Sequence, residues 1–87
     1  MTQLTEYRSE IDLIDKKLVE LLEKRLDLSK KIGLYKKERN MEILNLEREQ
    51  QVLESNLKFV KNHNYKTYIS EILKAIMEES KKLQSQL

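Results

Sequence analysis

From Thr2 to about Arg39 the chain contains no proline, and its apolar residues recur at alternating spacings of three and four: Leu4, Tyr7, Ile11, Ile14, Leu18, Leu21, Leu28, Ile32 and Tyr35. This is the heptad pattern of a helix that packs along its length. One slot breaks it. Between Leu21 and Leu28 the pattern asks for a hydrophobe, and position 25 holds Arg25. A guanidinium turned into a packing seam is costly unless it meets a partner. An unbroken helix of this reach is roughly 55 Å long, far more than the width of a single domain made from 87 residues. Two later helices cannot cover it, and large exposed apolar stripes are rare in soluble monomers. The expected fold is therefore all-α, with three helices per chain in one domain over residues 1–87, a long first helix, and an intertwined antiparallel homodimer.

Charge excludes several classes of partner. The 17 Lys and Arg and 15 Asp and Glu are interspersed, leaving a formal net charge of +2. The basic doublets Lys16-Lys17, Lys30-Lys31 and Lys36-Lys37 each have an acid nearby, so no basic face suited to nucleic acid forms. The chain has no cysteine, which removes disulfides and thiol chemistry. No signal peptide or membrane span is visible, and the cytoplasm is the default location.

Three helices and two connections are expected. Thr2 is a suitable N-cap for the first, with Thr5 as the alternative. Gly33, the only glycine, costs roughly 1 kcal/mol against alanine inside a helix; it marks either a close approach by a backbone or ligand, or a tolerated helix glycine. Asn45 precedes Leu46-Glu47 as an N-cap with an acid in the first turn. That second helix is expected to run to about Asn62, with His63 at its end, and a third from about Lys66 to Gln84 or beyond.

The later helices repeat the anomaly of the first. Leu46, Leu53, Leu57 and Val60 trace one face of the second helix, with Glu49 in an intervening slot. Leu73, Met77 and Leu87 trace one face of the third, with Ser80 and Gln84 between. Each polar residue has an ordinary reading alone: Arg25 fixing register, Glu49 as its ion-pair partner, Ser80 on a backbone carbonyl, Gln84 frayed near the terminus. Together, a cation, an acid, a hydroxyl and an amide turned toward one small core suggest a polar pocket between helices. Lys36, eleven residues after Arg25, points the same way about 16 Å along the axis. Arg8 lies about 25 Å before Arg25, too far to share a small ligand within one chain. It is either a solvated arginine or, if an antiparallel partner crosses near Leu18 to Leu22, a contribution to the other chain's pocket.

A pocket with three cations, one acid and neutral donors suits a small dianion such as a dicarboxylate. Metal binding is not expected, since His63 is the only histidine and no acids have ligand spacing. A Ser/His/Asp or Cys/His nucleophile arrangement is not expected, and there is no glycine-rich phosphate loop. Catalysis here would rest on binding and preorganised electrostatics, without a cofactor or a covalent intermediate.

The set Arg8, Ile11-Asp12, Ile14-Asp15, Leu18, Leu21-Leu22, Arg25, Ile32-Gly33, Lys36, Arg48-Glu49, Ser80 and Gln84 resembles the all-helical chorismate mutases over nearly the whole chain. The resemblance implies their intertwined dimer of three-helix chains and the rearrangement of chorismate to prephenate, a step of aromatic amino acid biosynthesis. It implies that Arg25 and, from the other subunit, Arg8 bind the two substrate carboxylates, with Ser80 assisting one. Lys36 and Gln84 would donate to the ether oxygen. Glu49 would hold the ring hydroxyl, and would need to be protonated if it also faced the ether end. Arg48 matches as a substrate contact or as the structural partner of an acid, the structural role being favoured. Asn45 departs from the family, where many members carry aspartate; the change is mild if the main chain does the binding, and puts hydroxyl recognition in doubt if the side chain does. A stand-alone enzyme is expected. The alternatives are an isochorismate pyruvate-lyase of the same fold and a non-catalytic helical dimerisation module.

Overall fold

The computed structural model describes residues 2–87, which form three α-helices and no strand. The first, α1, spans Gln3–Glu38 without a break. Thr2, in extended conformation, is its N-cap: the side-chain oxygen accepts the Thr5 backbone N–H at 3.2 Å. At the other end Asn40 adopts a left-handed φ of 54°, which asparagine tolerates better than most residues. The Met41 and Asn40 N–H groups then return to the carbonyls of Lys36 and Lys37 at 2.8 and 3.3 Å. These are the paired bonds of a Schellman cap, and they end the helix cleanly.

The second helix, α2, spans Leu46–Leu57, capped by the Asn45 side chain on the Arg48 N–H at 3.0 Å. It stops five residues before the expected Asn62, although the apolar spacing continues to Val60. The Asn56 side chain bonds the Val52 carbonyl at 2.8 Å, and the Phe59 and Val60 N–H groups tighten onto the carbonyls of Asn56 and Leu57 three residues back. Local side-chain bonding of this kind competes with helix propagation. His63 therefore does not end α2; it opens a single 3-10 turn, His63–Tyr65, that leads into the third helix, α3, Lys66–Ser85.

The later helices leave the heptad seam uncovered, as its length predicts, and α3 packs beside it. The stripe of α1 facing α3 includes Leu22, Arg25, Ser29 and Gly33, and of these only Arg25 belongs to the heptad seam. The seam itself stays uncovered in the single chain, with Ile14 63% and Leu28 58% exposed. Val52 of α2 and Met77 of α3 are the buried apolar side chains among the described residues. The chain measures 56 × 25 × 15 Å with a radius of gyration of 16.3 Å, against about 12 Å for a compact domain of this length. α3 packs on both α1 and α2, whereas α1 and α2 do not pack on each other. The gap between them, floored by α3, holds the site.

Candidate active site

A cavity of about 300 Å³ opens in this gap, at the lower end of the range of roughly 300–1,000 Å³ for small-molecule sites. From α1 come Arg25, Ser29 and Lys36; from α2 and its cap, Asn45, Arg48 and Glu49; from α3, Ser80, Lys81 and Gln84. Ile32, Val52 and Met77 are among the apolar side chains of the wall. Each polar residue is held by a regular helix or its cap, which fixes the side chains more tightly than a loop would.

The hydrogen bonds leave defined groups unspent. Ser80 Oγ accepts from Arg25 Nη1 at 2.9 Å and from Ser29 Oγ at 3.2 Å. A hydroxyl has two acceptor sites and one donor; with both acceptor sites filled, the Ser80 proton is left for a ligand. Gln84 Nε2 donates to the Ser29 carbonyl at 2.9 Å, which fixes the amide and leaves its second N–H. Lys36 Nζ donates to the Ile43 carbonyl at 3.0 Å, anchoring the α1–α2 connection and leaving two of three protons.

Electrostatically the cavity favours an anion. Four cations, Arg25, Lys36, Arg48 and Lys81, share it with one carboxylate, Glu49. Among the described residues Arg25, Lys36 and Arg48 form no ion pair; Lys81 does, with Glu49 at 3.0 Å and Glu78 at 2.9 Å. Hydrogen bonding to Glu78 first, and then to Glu49, holds the Lys81 ammonium above the ordinary lysine range. Lys81 is thus committed to acids, and the three unpaired cations are available to a dianion.

Of the residues singled out in the sequence, Arg25, Lys36, Asn45, Arg48, Glu49, Ser80 and Gln84 meet in this cavity. Arg8 does not: it lies exposed on the early turns of α1. Several ordinary readings are corrected. Arg25 bonds Ser80 rather than Glu49. Ser80 meets two side chains instead of a backbone carbonyl, Gln84 lies inside α3 rather than frayed, and no acid pairs with Arg48 among the described residues. The Asn45 side-chain oxygen is occupied as the cap of α2. Ser29 and Lys81 are the two polar wall residues not singled out in the sequence. Ser29 stands one turn after Arg25, on the stripe beside the seam; its exposure of 7% depends on how α3 sits, which no periodicity reports.

Comparison with known proteins points to one family. The profile described as chorismate mutase type II matches residues 7–85. A bifunctional chorismate mutase/prephenate dehydratase of Buchnera aphidicola subsp. Acyrthosiphon pisum is 40% identical over 82 residues, covering 93% of this chain and 21% of that protein. A second, from Aquifex aeolicus, is 41% identical over 61 residues, covering 70% of this chain and 17% of that protein. The chain thus spans about a fifth of the length of these bifunctional relatives. The chorismate mutase of Methanocaldococcus jannaschii is 33% identical over 85 residues, covering 97% of this chain and 86% of that protein.

Proposed function

Because this chain belongs to the chorismate mutase type II family, we propose that it is a cytoplasmic, homodimeric chorismate mutase that converts chorismate to prephenate. The observation that carries this reading is the convergence of Arg25, Lys36 and Arg48, each without an acid partner, with the unspent donors of Ser80 and Gln84 in one cavity. Such a set matches a substrate with two carboxylates and an ether oxygen that gains negative charge.

The rearrangement is intramolecular. The carbon–oxygen bond of the enol ether breaks as a carbon–carbon bond forms between the side-chain methylene and the ring, so no proton, electron or fragment leaves. In this reading Arg25 grips one carboxylate together with the free Ser80 hydroxyl. Lys36 and the second N–H of Gln84 donate to the ether oxygen as its bond lengthens. Glu49, ion-paired with Lys81, accepts the ring hydroxyl, and Arg48 lies near enough to the cavity to join the carboxylate contacts. The site accelerates the reaction by holding the compact substrate conformer and by stabilising charge that develops in the transition state.

In this reading Arg8 of the partner subunit joins Arg48 at the second carboxylate. The uncovered heptad seam and the elongated shape support pairing of α1 with a second α1 running antiparallel. A two-fold axis near Leu18 to Leu22 then brings each Arg8 to the other chain's Arg25–Lys36 segment, and the dimer holds two identical pockets. The test is incubation of the protein with chorismate, following prephenate. Prephenate formation supports the mutase. Pyruvate release from isochorismate alone would assign a lyase, and inertness toward both would leave a helical module.

A further inference from the structure

The sequence carries its single glycine inside α1, five residues before the helix ends at Glu38, and the backbone there does not ask for one: no glycine has a positive φ. What requires Gly33 is space. A Cβ at this position would lie 2.6 Å from Leu87 Cδ1, 2.9 Å from Gln84 Cγ and 3.2 Å from Gln84 Cβ. The last turn of α3, with Leu87 just beyond it, therefore sits directly on the bare backbone of α1. Two polar contacts fix it there. Lys37 Nζ donates to the Leu87 carbonyl at 2.8 Å, and Gln84 Nε2 donates to the Ser29 carbonyl, one turn before Gly33.

We propose that Gly33 is a positioning residue for the reaction: the missing side chain forms the seat on which the Gln84 stem rests, and so sets the amide that donates to the ether oxygen. The proposal rests on the mutase reading of Gln84. The Ser29 carbonyl orients the amide by taking one N–H, and the Gly33 seat fixes how deeply the stem enters the cavity. The Leu87 contact is at the flexible end of a side chain and can yield, whereas Gln84 Cγ and Cβ lie close to the helix backbone and can yield only by moving the amide. A methyl group on α1 thus acts on the chemistry through a residue of another helix, without touching substrate.

The test compares Gly33→Ala, Gln84→Ala, the double variant, and Gly33→Ala combined with Leu87→Ala. Gly33→Ala is expected to lower kcat roughly 10- to 100-fold, part of the loss typical of removing a transition-state donor, with KM within about two-fold. Added to Gln84→Ala, it is expected to cost less than about two-fold more, since both act on one interaction. Leu87→Ala relieves the 2.6 Å contact but not the Gln84 contacts, so it guards against a folding defect and is expected not to restore kcat. Unchanged kcat in Gly33→Ala, full recovery with Leu87→Ala, or a loss that adds fully to that of Gln84→Ala would each overturn the proposal. An independent readout separates it from the assignment of activity: the Gln84 side-chain amide resonances in a nitrogen-15 NMR spectrum are expected to shift in Gly33→Ala. An inactive wild type would sink the mutase reading, and unshifted amide resonances would sink the seat.

Discussion

Replacing Arg25 by alanine separates a substrate-binding arginine from one that merely fixes helix register. In the structure Arg25 is half-buried, makes one hydrogen bond to a neutral hydroxyl at 2.9 Å, and pairs with no acid among the described residues. Losing that bond costs about 1 kcal/mol, partly offset by removal of a charge that lacks a counterion. For a chain of this size that corresponds to a fall in Tm of about 4–8 °C. Turnover loses far more. A guanidinium that grips a substrate carboxylate contributes on the order of 3–4 kcal/mol in a preorganised site, so kcat/KM is expected to drop about 100- to 1000-fold. Steady-state chorismate kinetics, thermal denaturation and sedimentation on the same preparation read turnover, Tm and assembly together. Arg25→Ala protein that keeps the fold and the assembly of the wild type but loses turnover agrees with this account. Collapse of the fold or of the dimer alongside activity would assign Arg25 to register, and retained turnover would remove it from the site.

Two further substitutions test neighbouring parts of the pocket. Asn45→Ala removes the N-cap of α2 and is expected to cost about 1 kcal/mol in urea denaturation. Asn45→Asp keeps the cap and is expected to leave kcat/KM within a few-fold, because the side-chain oxygen caps the helix; a large gain would show that the side chain meets substrate. Lys81 is raised above its ordinary range through Glu78 and Glu49. Its pairing therefore stabilises the fold fully below the unfolded lysine value, and that contribution is lost as pH rises through the raised folded value. Lys81→Met is expected to lower stability at neutral pH and to flatten its decline at strongly alkaline pH, measured as urea midpoints against wild type.

The polar slots were legible because each interrupts a periodic apolar face: Arg25 in α1, Glu49 in α2, Ser80 and Gln84 in α3. An interruption is visible without knowing which helix lies opposite. Ser29 and Lys81 sit one position off those faces, and their inward placement follows from the rotation of α3 against α1. The apolar seam of α1 is plain in the sequence as a stripe too long for the later helices to cover, and the chain's own α3 packs on the adjacent stripe and leaves it open. α2 ends earlier than its apolar spacing suggests, since Leu53, Leu57 and Val60 keep helical spacing while the Asn56 side chain and tightened turns close the helix at Leu57. Gly33 illustrates the same limit from the other side. Its cost in helix propensity is plain in the sequence, but the reason for it is the approach of Gln84 and Leu87 from 51 and more residues later.

The claim on which most depends is that each pocket draws on two chains, and complementation tests it most directly. An Arg8→Ala chain and an Arg25→Ala chain, each inactive alone, are unfolded together in urea, refolded as a mixture and assayed with chorismate. Half of the dimers then contain one chain of each kind, and each of these holds one intact pocket, so about one quarter of wild-type activity is expected. Activity that stays at the level of the separate variants, in a mixture shown to contain heterodimers, would contradict a pocket shared between subunits.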